Sequence, residues 1–477
     1  MRIQYIVLVI ILACTPLLIQ VQGETEAKRR ERVENWDLQN LRTTPGFRTI
    51  ITEDMLQIPK GYPGPQDFTI AATPPTIDFA LIHGIHPEFF PQPVTTWPDQ
   101  RKGTWSNWAE VTKSPAGKFY MATGDHRVQN AQVFITEYDP ADRAQRVVVD
   151  VDKACGWKRN QYVHGKIHGR MDILPDGTLV AATWQGNPIK QEWIDHGYIR
   201  GGYVLTYNTN TGRVNSHGIP FHGDSWPCYA VDQQAGTLLA VGNYFQFMSY
   251  EVPTRTLRYG GHPPDSITWG RRAMLLDQVT GKVYSTDEGT AGYRFVSFNP
   301  STNAFRQLDC AVPKNPVTGK RSRLRAYTAH RTLGDLFYCM DQEGTLFKFS
   351  PDREAVEIID VNWGKSGVYT VSMALSPGER YLYYLPGANG QFTEQGTPVV
   401  QYDLHTGTKK VLAFLGPYIH RNYGYITEGT YGIELSRDGS LLVVQMNGLF
   451  GPDWRKRGRY EHPSIFAIHI PESEREE

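Results

Sequence analysis

The feature that most restricts the fold of this chain is a short unit that keeps returning: a strand-like run ends on an aromatic residue, and a turn residue follows at once. Glu137-Tyr138-Asp139-Pro140, Thr206-Tyr207-Asn208-Thr209, Ser249-Tyr250-Glu251-Val252-Pro253, Ser297-Phe298-Asn299-Pro300, Lys348-Phe349-Ser350-Pro351 and Gln401-Tyr402-Asp403-Leu404 are six copies of it. A second recurrent turn precedes them, as in Ser114-Pro115-Ala116-Gly117, Leu174-Pro175-Asp176-Gly177, Gln234-Ala235-Gly236, Val279-Thr280-Gly281, Ser376-Pro377-Gly378 and Ser436-Arg437-Asp438-Gly439. The apolar runs between turns are short and helical periodicity is nearly absent, so the chain reads as all-β.

Two turns per repeat describe a four-stranded antiparallel meander, and a repeat of roughly 40 to 60 residues matches one blade of a β-propeller. A lone blade cannot bury both faces of its sheet, whereas a closed ring covers every face with a neighbour. Blade starts near Trp108, Arg170, Tyr229, Arg272, Tyr327, Tyr369 and Tyr431 predict about seven four-stranded blades over residues 100–473. The Pro-rich part of residues 24–99 carries a strand-like piece at residues 79–82, which either closes the ring or wraps its outside. Residues 24–45, with Lys28-Arg29-Arg30-Glu31-Arg32, read as a solvated leader.

Arg2 followed by the apolar residues 6–18 has the form of a secretory signal, too short for a membrane span, with Val21 and Gly23 preparing cleavage before Glu24. A secreted or periplasmic protein without a transmembrane segment is expected, and Ile11-Leu12-Ala13-Cys14 leaves lipid anchoring through Cys14 as the alternative. Lys plus Arg and Asp plus Glu are both 49, so no field of one sign draws nucleic acid, and a monomer is expected. Any anionic ligand must be held by local Arg residues. Cys155, Cys228, Cys310 and Cys339 are too few for a disulfide scaffold, and Cys310 with Cys339 is the expected bridge because they are close in sequence.

Loops that enter the innermost strands of a propeller surround its central channel, so chemistry is sought at blade starts. These hold Trp105 and Trp108, His164 with His168 and Arg170, Trp226 with Cys228 and Tyr229, Trp269 with Arg271 and Arg272, Arg325 with Tyr327 and His330, Tyr369, and Glu428 with Tyr431. In Tyr162-Val163-His164-Gly165-Lys166-Ile167-His168-Gly169-Arg170 the two His at i and i+4 on an extended loop are expected to point to one side. His can act as base, acid or metal ligand, and the neighbouring glycines admit a substrate close to the backbone. Arg170, Arg271, Arg272, Arg323 and Arg325 offer forked donors for a carboxylate or sulfate, and Trp226 and Trp269 offer flat faces for a sugar ring. The same residues have structural readings, a His bonded between blades or an Arg paired with Asp172, Asp224, Asp287 or Glu288. His222 and Cys228, six residues apart, are candidates for a divalent metal such as zinc or calcium, although the spacing matches no zinc motif.

Gly165-Lys166-Ile167-His168-Gly169-Arg170, Tyr369-Thr370 with Tyr381-Leu382-Tyr383-Tyr384, and Gly429-Thr430-Tyr431-Gly432-Ile433-Glu434 resemble segments of secreted bacterial β-propeller proteins, in particular the propeller polysaccharide lyases that act on ulvan and oligogalacturonate. The resemblance implies an acidic polysaccharide or oligosaccharide as partner, cleaved by β-elimination. His168 would be the base, Tyr229 the acid and Arg272 the neutraliser of the carboxylate, with His164, His330 and Tyr327 as further catalytic candidates. A propeller that binds a glycan or protein without turnover is the alternative, and a quinone-dependent or lactone-hydrolysing propeller the third.

Overall fold

Capping explains the aromatic-turn repeat. In four of the six copies an Asx side chain after the aromatic accepts backbone N–H groups of its own turn: Asp139 Oδ1 from Ala141 at 3.0 Å, Asn208 Oδ1 from Thr211 at 2.9 Å, Asn299 Oδ1 from Ser301 at 3.1 Å and Asp403 Oδ1 from His405 at 2.8 Å. The preceding aromatics, Tyr138, Tyr207, Tyr250, Phe298, Phe349 and Tyr402, are all buried. The other repeated turn needs one left-handed residue. Gly177 supplies it at φ 84°, while in the turn after Ser376 the role passes to Glu379, at φ 62°.

These hairpins build seven mainly antiparallel sheets of four to five strands, the seven-bladed β-propeller. The computed structural model describes residues 47–82, 106–107, 109–124, 132–157, 164–185, 201–289, 292–388, 395–450 and 462–476. The readings on the signal segment, Cys14, the basic leader, Trp105 and Trp108 lie outside the described residues.

Blade 1 runs from Ser106–Asn107 and Thr112–Lys113 to Ala144–Asp150, blade 2 from Lys166–Ile167 and Asp172–Ile173 to Val214–Gly218, and blade 3 from Cys228–Asp232 to Thr256–Gly261. Blades 4, 5 and 6 begin at Leu275–Leu276, Leu324–Tyr327 and Ala374–Leu375. Blade 7 joins the two ends of the described chain. Its inner strands Tyr425–Leu435, Leu441–Phe450 and Ser464–His469 come from the C-terminal part, and the outer strand Thr76–Leu81 pairs with Ser464–His469 in register Phe79 with Phe466.

Apolar side chains fill the wedge between every neighbouring pair of blades. One cluster spans blades 1, 2 and 3, and others join 3 to 4, 4 to 5, 5 to 6, 6 to 7 and 7 to 1. The ring is thus closed by the hydrophobic effect as well as by the strand exchange in blade 7. Among the described residues no helix is long and apolar enough to cross a membrane.

The expected Cys310–Cys339 bridge is not formed. Cys155, Cys228, Cys310 and Cys339 are free thiols. Cys310 lies on the outermost strand of blade 4 and Cys339 on the second strand of blade 5, so both fill the same inter-blade cluster beside Phe295, Phe347 and Phe349 without being bonded. Closeness in sequence brought them to one interface; strand position kept them apart.

Candidate functional site

Each innermost strand starts at the upper end of the channel and finishes in the turn at the lower end, so position along it sets depth. Three levels of polar side chains result.

The upper level contains His168, Arg272 and Arg325. His168 is buried, and its Nδ1 stands 2.7 Å from the Pro227 carbonyl oxygen, which makes Nδ1 the protonated nitrogen and Nε2 the acceptor. Arg272 Nη1 donates to that Nε2 at 3.1 Å. Burial, then the charges of Arg272, Arg325 and Lys166, hold His168 well below the usual histidine range, so the ring is neutral. Trp184 forms a wall: its ring meets the His168 ring edge-on at 4.8 Å and lies 4.8 Å from Lys166 Nζ and 5.6 Å from the Arg272 guanidinium. Arg325 donates from Nε to the Tyr369 hydroxyl at 2.7 Å and from Nη1 to the Arg272 carbonyl at 3.3 Å, with the rings of Tyr369 and Tyr431 at 5.6 and 5.8 Å. Among the described residues neither Arg272 nor Arg325 has a carboxylate partner. Burial and the nearby Arg325 charge press the Arg272 pKa down.

The middle level is charge-balanced. Arg170 spans blades, donating from Nη1 to Glu110 Oε2 at 2.8 Å and from Nη2 to Glu434 Oε2 at 2.9 Å, while Lys113 Nζ reaches Glu434 Oε1 at 2.9 Å. Burial alone would raise Glu434, but Lys113 and Arg170 hold it below the usual carboxylate range; at Glu110 burial outweighs Arg170 and the pKa rises. Tyr327 and Cys228 are buried in the neighbouring inter-blade wedges; burial, reinforced by Glu110, pushes the Tyr327 phenol upward, and burial pushes the Cys228 thiol upward against the Arg325 charge.

The lower level opens to a cavity of about 190 Å³ lined by Lys113, Arg170, His330, Arg331, Glu379 and Glu434. His330 is exposed there, past the end of its innermost strand. It lies beside the Arg170–Glu434 cluster, where desolvation and the Arg170 charge lower its pKa, and the Pro227, Arg272 and Trp184 contacts of His168 do not include it.

Several other expectations are corrected. His164 and His168 do not point to one side: His164 Nδ1 bonds Thr183 Oγ1 at 2.7 Å and its ring faces Trp157, whereas His168 meets Trp184. Thr183 and Trp184 are consecutive in one strand and so face opposite sides of the sheet. Burial drives His164 down to about 3. Tyr229 is wholly buried with its ring under Gly169, and Trp226 and Trp269 are wholly buried as well. Trp226 donates to the Gly202 carbonyl at 3.3 Å, and Trp269 packs on Phe247 with centroids 5.1 Å apart. None of these three presents a face to a sugar ring. Arg271 leaves the channel, bonding the Asn243 carbonyl at 2.8 Å with its guanidinium 4.3 Å from the Phe245 ring centroid. His222 is exposed while Cys228 is buried in the apolar wedge between blades 3 and 4, and among the described residues no group of three or more His, Cys, Asp or Glu is placed to hold a metal ion.

Gly169 carries the positioning of His168. A Cβ at residue 169 would stand 2.2 Å from Tyr229 Cδ1, so Gly169→Ala is expected to cost about 1–3 kcal/mol in a urea titration and to displace the adjacent imidazole. A variant as stable as the wild type would overturn this.

Sequence reasoning overlooked Trp184, Glu110 and Lys113, gave Tyr369 and Tyr431 no role beyond blade starts and the resembling segments, and quoted Glu434 only within one of those segments. A signal for Glu110 existed. It and Arg170 both lie four positions ahead of the first residue of their turn, Ser114 and Leu174, hence at equal depth in successive blades.

No family model matches the chain, and no curated protein does. Among solved structures it is similar to a chain of the "Crystal Structure of Mitotic Checkpoint Complex", with a TM-score of 0.50 and 9% identity over 89% of this chain and 98% of that one. At that identity the likeness is one of fold, and what it supports is a seven-bladed β-propeller.

Proposed function

We propose that this is an exported carbohydrate-active propeller that takes an acidic saccharide into the upper channel and cleaves it by β-elimination. The observation that carries the reading is the pair of guanidinium groups, half-buried Arg272 and buried Arg325, that have no carboxylate partner among the described residues. A uronate carboxylate supplies the missing charge between guanidinium groups that stand 5.6 Å from the Trp184 ring and 5.8 Å from the Tyr431 ring, respectively.

In the proposed reaction the two Arg residues stabilise the charge that develops on the carboxylate as the neighbouring C5–H is broken. His168 Nε2 takes that proton once Arg272 turns from it to the substrate; the held Nδ1–H keeps the tautomer correct, and neutralising Arg272 and Arg325 removes the part of the pKa depression that their charges add to burial. The electron pair forms the C4–C5 double bond, the C4–O bond breaks, and the Tyr369 hydroxyl, hydrogen-bonded to Arg325, protonates the departing oxygen. Tyr369 thus replaces Tyr229, which is enclosed in the core.

Incubation with a panel of uronate polymers, read by absorbance of the unsaturated product, is the test. Turnover is expected, and His168→Gln is expected to lower it by about 10²–10⁴-fold with folding intact. Binding without turnover is the second reading, favoured by the Arg272 Nη1 that occupies His168 Nε2 at 3.1 Å. An equally active His168→Gln would remove the assigned base.

A further inference from the structure

We infer that residues 470–476 are a docking segment whose receptor is the lower turn of blade 6, and that the two form a detachable clasp over the N-terminal segment that crosses from blade 6 to blade 7. The clasp is independent of the saccharide reading.

The lower turns of blades 6 and 7 share one backbone design. In blade 6 the Ser376 N–H donates to the Tyr381 carbonyl at 2.8 Å, the Glu379 N–H to the Ser376 carbonyl at 2.9 Å and the Tyr381 N–H to Ser376 Oγ at 2.8 Å. Blade 7 repeats these bonds from Ser436, Gly439 and Leu441, at 2.7, 3.0 and 2.9 Å. Both turns carry a left-handed residue at the same place, Glu379 at φ 62° and Gly439 at φ 70°. What differs is the residue before it. In blade 7 this is Asp438, whose Oδ1 accepts from Ser436 Oγ at 2.6 Å and from the Ser440 N–H at 3.1 Å. In blade 6 it is Gly378, and the carboxylate comes from Glu476: its Oε1 accepts from Ser376 Oγ at 2.6 Å and from the Arg380 N–H at 2.6 Å, and its Oε2 from the Gly378 N–H at 2.7 Å. Glycine leaves the room for it, because a Cβ at residue 378 would stand 2.7 Å from Glu476 Oε2.

Two residues earlier lies the second anchor. Glu474 is buried, with Oε1 accepting from the Ala72 N–H at 2.8 Å, Oε2 from Lys410 Nζ at 2.6 Å and its carbonyl from Gln401 Nε2 at 2.6 Å. Ala72 lies between Thr69–Ile70, which pairs with blade 6, and Thr76–Leu81, the outer strand of blade 7. Carboxylates that accept N–H groups make the stronger class of hydrogen bond, so Glu474 and Glu476 are the points of attachment.

Gly378→Asp gives blade 6 the carboxylate that blade 7 already has, and so displaces Glu476. Hydrogen exchange of the intact chain is the measurement. In this variant exchange is expected to rise about tenfold or more over residues 470–476 and 70–76, the order set by losing charge-assisted hydrogen bonds, while the Arg380 amide stays protected by the new Asp. Glu476→Ala is expected to open the same two segments and to expose the Arg380 amide as well. Unchanged exchange over residues 470–476 in either variant overturns the docking, and faster exchange there with none over residues 70–76 overturns the clasp. Faster exchange throughout all seven blades would make the segment part of the core and overturn its detachability.

Discussion

Replacing Arg170 by Met is expected to destabilise the protein by about 3–5 kcal/mol, the loss that follows when one partner of a buried ion network is removed. Met keeps the bulk of the side chain, so the effect reports charge rather than a cavity. Glu434 would retain Lys113, but Glu110 would be left buried without its cation. The pH dependence should change as well. Glu110 already has a raised pKa in the folded protein, which means that its contribution favours the fold at low pH and is lost as pH rises; without Arg170 the loss grows. Guanidinium titrations at pH 5 and pH 8 test this, and the deficit should be larger at pH 8. Adding Glu110→Gln should recover part of it. A single variant within about 0.5 kcal/mol of the wild type would show that the bridge across blades 1, 2 and 7 carries little stability.

Lowering the pH from 6.5 should weaken the fold through His164 and His168. Both are buried and have folded-state pKa values below that of an unfolded His, His164 down to about 3. The unfolded chain therefore binds protons that the folded one refuses. The stabilising contribution of His164 is complete above pH 6.5 and shrinks as pH falls toward 3, by about 1.4 kcal/mol per pH unit, and that of His168 has the same sign. Asp224 opposes them: burial raises it to about 6, so it favours the fold as pH falls from 6 to its ordinary range. The clean measurement is thus the difference between wild type and His164→Gln, whose stability should fall less steeply from pH 6.5 to 5. Parallel curves would mean that His164 takes up its proton in the folded state as readily as in the unfolded one.

Much of this molecule is legible in its order of residues because its strongest signals are local. An aromatic that buries itself and an Asx that caps the next turn act within four residues of chain, so Tyr207-Asn208 or Tyr402-Asp403 declares a hairpin wherever it occurs. Repetition of that hairpin, with no helical pattern between copies, leaves few architectures, and about seven blade starts could be counted before any coordinates. The polar residues His168, Arg272 and Arg325 were visible as exceptions at positions where a blade needs only small or apolar side chains.

What no local pattern contains is the depth of a side chain in the channel and which blade faces it. Arg170 and Arg272 look alike in sequence, yet Arg170 sits beside Glu110 and Glu434 from the two ends of the chain and is neutralised, whereas Arg272 meets His168 and a second guanidinium. Trp226 and Trp269, attractive as sugar platforms, are consumed by the wedges between blades, and Cys310 and Cys339 by another wedge. The physical reason is common to all of them. Hairpins follow from interactions between near neighbours and are written in the residues themselves, while charge balance, burial and pKa depend on groups hundreds of residues apart that only closure of the ring brings together.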